Sequence, residues 1–191
     1  MLDREDIGTV NTNATCDNGG GSDPTPTVWI NEFHYDNASG DEGEFVEVAG
    51  TAGVDLSTYS IVKYNGSNNQ SYGEDSLEGT IPDEANGIGA VAIQYPANGL
   101  QNGAPDGIAL VNGTECVQFI SYEGAMTASG GACDGVASEE VVSQGGSTPV
   151  GSSVSLAGSG TKYADFTWEN TDETATPGNA NTNQTFGESA Q

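Results

Sequence analysis

Short apolar or alternating runs recur along this chain and are separated by turn-forming residues. The clearest run covers residues 28–35, which are apolar, aromatic and β-branched and follow an Asp-Pro-Thr-Pro stretch. Such runs, bounded by Gly, Pro, Asn and Asp, are typical of β-strands. The pattern predicts strands near residues 28–35, 44–49, 58–64, 76–81, 88–95, 107–112, 116–122, 152–157 and 164–168.

The spacing of these runs predicts an all-β protein. No segment carries apolar residues at helical spacing over the roughly 10–12 residues that a helix requires, although residues 135–142 leave a short helix open. Residues 88–95 are almost continuously apolar, which predicts a central strand buried on both faces. Several short strands separated by turns favour a β-sandwich over a barrel.

Carboxylates are interleaved with the first two strands. Because strand side chains alternate, Ile30 and Glu32 are expected on one face, as are Glu44 and Val46. If Ile30 and Val46 point into the core, Glu32 and Glu44 lie on that same side. We therefore expect acidic groups to meet at one end of the sandwich.

The loop between these strands, residues 36–44, is dense in the hard oxygen ligands that Ca²⁺ takes in sets of six to eight. It is not an EF-hand, because Ala38 and Gly40 stand where side-chain oxygens would be needed. The sequence instead predicts a different calcium site, with one ligand from a distant turn: Glu32, Asp36, Asp41, Glu44 and Asp106. The alternative is that these are exposed turn residues.

The charge balance is strongly acidic, with 28 Asp and Glu against three Lys and Arg and a net charge of −25. One interpretation is surface solvation in a marine or halophilic organism, where salt screens the repulsion between like charges. Calcium-binding clusters are compatible with this interpretation. Three basic residues cannot build a phosphate-binding patch, so no direct nucleic-acid binding is expected. No apolar run approaches the roughly 20 residues that span a bilayer, so no membrane span is expected.

Two of the three cysteines, Cys116 and Cys133, bracket a glycine-containing loop. A disulfide between them would stabilise the fold by about 3 kcal/mol through the unfolded chain's entropy, and it would suit an oxidising extracellular environment. The alternative is two unrelated thiols. Cys16 is left over in the N-terminal segment, and its pairing stays open.

The sequence contains only weak indications of a catalytic site. His34 is the only histidine, and as a general base it would need a nucleophile and an orienting acid. A hydrogen bond from this strand histidine to Glu32 or Asp36 is the simpler expectation. Neither a G-x-S-x-G elbow nor a P-loop occurs, so the sequence predicts no catalytic residue and no organic cofactor.

Five short motifs occur in the order found in one known family: Ile-Asn-Glu-Phe at 30–33, Gly-Glu-Phe-Val-Glu-Val at 43–48, Val-Asp-Leu-Ser-Thr-Tyr-Ser-Ile at 54–61, Asn-Gly-Ala-Pro-Asp-Gly-Ile-Ala-Leu-Val at 102–111 and Ala-Thr-Pro-Gly-Asn-Ala-Asn at 175–181. The chain thereby resembles a lamin tail domain over residues 28–181. The likeness is to the bacterial branch of secreted and surface proteins, often attached to nucleases or phosphatases. It implies an immunoglobulin-like β-sandwich that acts as an accessory module, with no catalytic residues to carry over.

The expected organisation is a leader or linker over residues 1–26, a sandwich over 27–182 and a polar tail or linker over 183–191. The expected function is a non-catalytic scaffolding module of a secreted or cell-surface bacterial protein, partnered by a neighbouring domain such as an extracellular nuclease. An alternative is an adhesion or carbohydrate-binding module that grips an extracellular polymer or surface protein. A metal-dependent hydrolase using the acidic cluster is a third.

Overall fold

A computed structural model describes residues 27–38, 40–103, 105–172 and 174–187. The expected leader and Cys16 lie outside these residues. The described part is an all-β protein of two sheets, which confirms the predicted β-sandwich. Its only helical element is a single 3-10 turn, Tyr163–Asp165, and no described helix is long and apolar enough to cross a lipid bilayer.

The strands, numbered in chain order, are short and regularly spaced. They are β1 Val28–His34, β2 Phe45–Thr51, β3 Tyr59–Asn65, β4 Gln70–Ser76, β5 Ile88–Gln94, β6 Asp106–Asn112, β7 Glu115–Tyr122, β8 Glu139–Glu140, β9 Ser153–Gly160, β10 Phe166–Thr171 and β11 Gln184–Phe186.

The first sheet has the strand order β10-β9-β1-β2-β5, and β11 pairs in parallel with β9. The second sheet has the order β4-β3-β6-β7-β8. Within the first sheet, β1 lies between β9 and β2, with Glu32 opposite both Ser155 and Glu47. The first two strands of the sequence pattern are therefore antiparallel neighbours near the middle of a sheet.

The main core lies between the two sheets. It contains Ile30 and Phe33 from β1, Val46 from β2 and Ile108 from β6, all essentially inaccessible to solvent. Phe33 packs against three other aromatic rings, with centroid distances of 5.9 Å to Tyr35, 5.6 Å to Tyr122 and 5.8 Å to Trp168. A second cluster covers the outer face of the first sheet, and a third covers the outer face of the second sheet.

Some of the predicted elements lie elsewhere. The strand predicted over 76–81 is formed by Gln70–Ser76 instead, while Leu77 and Ile81 are buried in the connection that follows. No helix forms over 135–142; Glu139–Glu140 pairs with β7 instead. Gln184–Phe186, expected in a polar tail, forms a strand of the first sheet.

The strand predicted as central over 88–95 is the edge strand of the first sheet, so this prediction is wrong. Its apolar side chains nevertheless pack against other residues on both faces of the strand. Ile88 and Ala90 join the outer cluster that includes Phe186, whereas Val91 and Ile93 pack against the main core. Burial on both faces indicates coverage by other segments, and it does not require a strand partner on both sides.

A disulfide joins Cys116 on β7 to Cys133, as the sequence predicted. Cys133 is fully buried and packs in the cluster on the outer face of the second sheet. The bond therefore fixes the long connection after β7 onto the sheet that precedes it.

Candidate functional site

A β-bulge in β1 decides where the predicted site residues lie. The register with β2 shifts between Ile30, which faces Val48, and Glu32, which faces Glu47. Ile30 and Phe33 both enter the core, so the two residues between them, Asn31 and Glu32, point away from it. Strict alternation would place Glu32 with Glu44 on the core side. The structure corrects this expectation, because one extra residue turns Glu32 to the outer face.

Glu32 is fully buried there and accepts hydrogen bonds from two other segments. Ser153 Oγ donates at 2.5 Å, Thr176 N lies 3.1 Å from both carboxylate oxygens, and Thr176 Oγ1 donates at 3.2 Å. The carboxylate thus joins β9 to the segment after β10. We call residues 174–187 the C-terminal strap.

Two further glutamates hold the same strap. Glu47 is fully buried opposite Glu32 and accepts from Asn31 Nδ2 at 2.8 Å and Gly178 N at 2.6 Å. The exposed Glu84 accepts from Ala180 N at 2.8 Å. Together with Thr176, three alternate backbone N–H groups of the strap therefore each donate to a glutamate.

Burial controls the protonation of this pair. It raises the pKa of Glu32 above its usual value, against the lowering effect of the Ser153 and Thr176 hydrogen bonds. Burial also raises the pKa of Glu47 well above its usual value; the Asn31 hydrogen bond opposes this shift, and the charge of Glu32 adds to it. Both carboxyls consequently hold a proton more tightly in the folded chain than in the unfolded chain.

The pH dependence of the protein's stability follows from the upward shift of these two pKa values. An acid with a raised folded pKa stabilises the fold fully below its unfolded value, near 4.5 for glutamate, and this contribution is lost as pH rises through the folded value. We expect the melting temperature to fall as pH rises from about 5 to about 8. The melting temperature is measured in 1 M NaCl, because at a Debye length of roughly 3 Å the salt screens most of the repulsion between surface charges.

Glu47→Gln is the control for this pH profile, because glutamine cannot titrate, and it is expected to show a shallower fall. His34 acts in the opposite direction: burial lowers its pKa below 6.5, so its contribution is lost as pH falls. A melting temperature that rises with pH, or an unchanged slope in Glu47→Gln, would contradict the assignment.

The other predicted ligands lie at the loop end of the sandwich. Asp41 Oδ1 accepts from Asn37 N at 3.2 Å, and its Oδ2 accepts from Asn102 Nδ2 at 3.0 Å. The Asp36 carboxyl is a neighbour, and its pKa is raised by burial and by Asp41. Asp36 and Asp41 therefore do come together, with Asn102 beside them.

Glu44 and Asp106 shape the connection between β5 and β6. Glu44 Oε2 accepts from Gly99 N at 2.6 Å and Leu100 N at 3.0 Å. Asp106 accepts from Gly103 N at 2.7 Å and from Gly66 N at 3.0 Å. Both carboxylates act as acceptors for backbone N–H groups that lie outside any strand ladder.

Two tyrosines complete this arrangement. Tyr72 Oη accepts from Gln101 N at 2.9 Å, and Tyr122 Oη donates to Gln101 O at 2.6 Å. The backbone of residues 98–103 is thus held at successive positions by carboxylates and phenols. Beside this loop lies an open cavity of about 430 Å³, lined by Asn65, Ser67, Asn98, Leu100, Gln101, Asn102, Gly103, Pro105 and Asp106. We call it the loop-end pocket.

The donors fit the predicted five-ligand calcium site poorly. Glu32 lies on the other face of the sheet, and the oxygens of Asp41 and Asp106 already accept N–H hydrogen bonds. Of the five predicted ligands, only Glu44 has a buried oxygen, Oε1, that lacks a hydrogen-bond partner in the described part of the chain. Among these residues no three His, Cys, Asp or Glu side chains are grouped to hold a metal ion.

His34 is buried on the outer face of β1. Its Nε2 lies 2.7 Å from Asn37 Nδ2, so its hydrogen-bond partner is an amide and the expected pairing with Glu32 or Asp36 is not the one observed. Burial lowers the pKa of the imidazole, against smaller raising effects from Gln144 and Asp41. The neutral form is therefore favoured.

Sequence reasoning missed Glu47, Tyr72 and Tyr122. Glu47 sits mid-strand on the face opposite Val46, and a lone acid in an otherwise apolar strand is a signal of burial with a partner. The tyrosines give no comparable signal, because their role depends on a loop from a distant strand. Tyr122 is fully buried and stacks on Tyr35 at a centroid distance of 3.9 Å.

The protein is thus a two-sheet β-sandwich. The carboxylates of Glu32, Glu44, Glu47 and Asp106 accept hydrogen bonds from its own loops and C-terminal strap. A comparison with protein-family models, curated protein sequences and solved structures finds no match to this chain. The resemblance to a lamin tail domain, and the immunoglobulin-like type that it implies, stay predictions.

Proposed function

We propose that this chain is a non-catalytic accessory module of a secreted or cell-surface bacterial protein, of the lamin tail type. It positions or attaches a neighbouring domain of the same polypeptide, with an extracellular nuclease or phosphatase as the candidate neighbour. The observation that carries this proposal is the use of the acidic residues: Glu32, Glu44 and Asp106 accept hydrogen bonds from backbone N–H groups.

This use of carboxylates supports a structural role. A general base must reach a substrate proton, and a metal ligand must have a lone pair free for the ion. Glu32 is fully buried beneath the C-terminal strap, and its oxygens accept from Thr176 and Ser153. The disulfide supports an oxidising location, and a net charge of −25 disfavours direct contact with nucleic acid.

Hydrolysis assays of the isolated chain provide one test. Bis-p-nitrophenyl phosphate, p-nitrophenyl phosphate and plasmid DNA are incubated with the chain in Ca²⁺, Mg²⁺ and Mn²⁺. The expected result is no turnover above buffer and no DNA mobility shift. Turnover that disappears in Glu44→Gln or Asp106→Asn, but persists in the exposed control Glu78→Gln, would overturn the proposal in favour of a hydrolase.

The sequence encoded on either side of this chain provides a second test. An accessory module is expected next to a catalytic domain, and deletion of residues 27–187 should leave the turnover number of that domain unchanged while its attachment to the cell surface or matrix is lost. A reading frame without any further domain, or a deletion that abolishes turnover by a correctly folded neighbour, would contradict the proposal.

A further inference from the structure

The loop-end pocket differs in chemistry from the rest of this acidic chain. Its polar side chains are mostly uncharged, since they belong to Asn65, Ser67, Asn98, Gln101 and Asn102. The lining includes a single carboxylate, Asp106, and its two oxygens accept from Gly66 N and Gly103 N. The groups that face the cavity are therefore chiefly carboxamides and a hydroxyl.

Several of these groups are available for a ligand. The Asn98 side chain, the Ser67 hydroxyl and the Gln101 amide nitrogen have no hydrogen-bond partner within the described part of the chain. A carboxamide offers both donors and an acceptor, and a hydroxyl offers both as well. Pro105 adds an apolar surface to the same wall.

The pocket is held in shape before any ligand arrives. Gln101 is fixed through its backbone by Tyr72 and Tyr122, and the preceding Gly99 and Leu100 are fixed by the buried Glu44. Asn98 adopts a positive φ of 61°, a conformation that asparagine tolerates better than most residues. Binding would thus cost little loop ordering, which is the general advantage of preorganisation.

We propose that the loop-end pocket binds a short segment of a neutral glycan. Carboxamides match the paired donor and acceptor character of sugar hydroxyls, and the proline matches the apolar C–H face of a sugar ring. A cavity of about 430 Å³ lies within the usual range for small-ligand sites. The net charge of −25 disfavours anionic polymers, and this separates neutral from acidic glycans. This role goes beyond the accessory function and does not depend on it.

The test is a titration of the ¹⁵N-labelled chain with neutral hexasaccharides of β-1,4-glucose, β-1,3-glucose, β-1,4-xylose and β-1,4-mannose. At least one is expected to shift the amide signals of residues 65–67 and 98–103 selectively, with a dissociation constant on the order of 0.1 mM. A hexamer of anionic guluronate serves as the charged comparison and is expected to give no selective shifts.

Two variants localise the binding. Asn98→Gly removes a carboxamide and keeps the positive φ accessible, and Gln101→Ala removes the second amide while its backbone bonds to the tyrosines remain. Each is expected to weaken binding about tenfold. Asn179→Ala, which removes an exposed amide on the C-terminal strap outside the pocket, is the matched control and should bind like the parent chain.

Three outcomes would overturn the proposal. The first is the absence of selective shifts with every neutral hexasaccharide at millimolar concentration. The second is binding that both pocket variants leave unchanged, because the ligand would then lie elsewhere. The third is tighter binding of the guluronate hexamer, which would contradict a neutral-glycan site. Thermal melts of each variant verify that the fold is intact.

Discussion

Replacing Glu32 by alanine is expected to lower the free energy of unfolding by about 3 kcal/mol. Alanine leaves the partly buried Thr176 N and Oγ1 of the strap without their acceptor, and Ser153 Oγ keeps only Thr171 as its partner. Loss of the buried charge relieves some desolvation cost, but unsatisfied donors and the new cavity outweigh it. Urea unfolding at pH 7 measures the change, and the melting temperature should fall by roughly 10 °C.

Glu84→Ala is the matched control, because Glu84 holds the same strap from an exposed position. Glu84 also accepts from Ala90 N at 2.8 Å. Water can replace its exposed carboxylate at both N–H groups, so a smaller loss of stability is expected. Hydrogen exchange of the Thr176 and Gly178 amides should accelerate strongly in Glu32→Ala and only slightly in Glu84→Ala. Equal losses in the two variants would show that burial beneath the strap does not determine the stabilisation.

Alternation of apolar and acidic residues was enough to predict the strand pair around Phe33 and Val46, since local propensity and burial agree there. The same rule failed at Glu32 by one residue. A bulge adds a residue to one strand only, and its position depends on the pairing with β2 and β9, which no local pattern specifies. The sequence therefore predicted which acidic residues flank these strands, but it did not predict their division between the two faces of the sheet.

Elements that depend on distant partners were the hardest to predict. Gln184–Phe186 is polar at one end and short, and it becomes a strand only because β9 extends past β1 and leaves Gly158–Gly160 unpaired on that side. β4 has an exposed, polar sequence and is a strand because β3 pairs with it. In both cases tertiary pairing overrides weak intrinsic preference.

Asp106 illustrates what the sequence could establish about the site. A carboxylate in a turn that enters a strand was expected at a sheet end, and the structure places it there. Its partners, Gly66 N and Gly103 N, come from two loops whose meeting depends on the packing of β3 beside β6. The position of an acid is thus a local property, whereas its role as metal ligand or backbone acceptor is decided by neighbouring loops.

Replacing Glu44 by alanine is expected to have the second large effect, whereas glutamine at the same position is expected to cause no loss of stability. Glu44→Ala removes the acceptor of Leu100 N and one of the two acceptors of Gly99 N, which keeps Pro96 O. This should lower the free energy of unfolding by about 3 kcal/mol and release the loop of the loop-end pocket. Glu44→Gln keeps one oxygen for both N–H groups. It also removes a buried charge whose pKa burial raises, so it should match or exceed the parent's stability.

Urea unfolding of the three chains with and without Ca²⁺ separates the structural role of Glu44 from metal ligation. The buried Oε1 without a partner is the one atom of Glu44 that a cation could use. If Glu44 acts only as a backbone acceptor, the order of stability is the same with and without Ca²⁺: Glu44→Gln equals or exceeds the parent chain, and Glu44→Ala is the least stable. A parent chain that Ca²⁺ stabilises and that loses this gain in Glu44→Gln would assign the carboxylate to a calcium site. In that case the loop carrying Asn98 and Gln101 would be fixed through a bound ion.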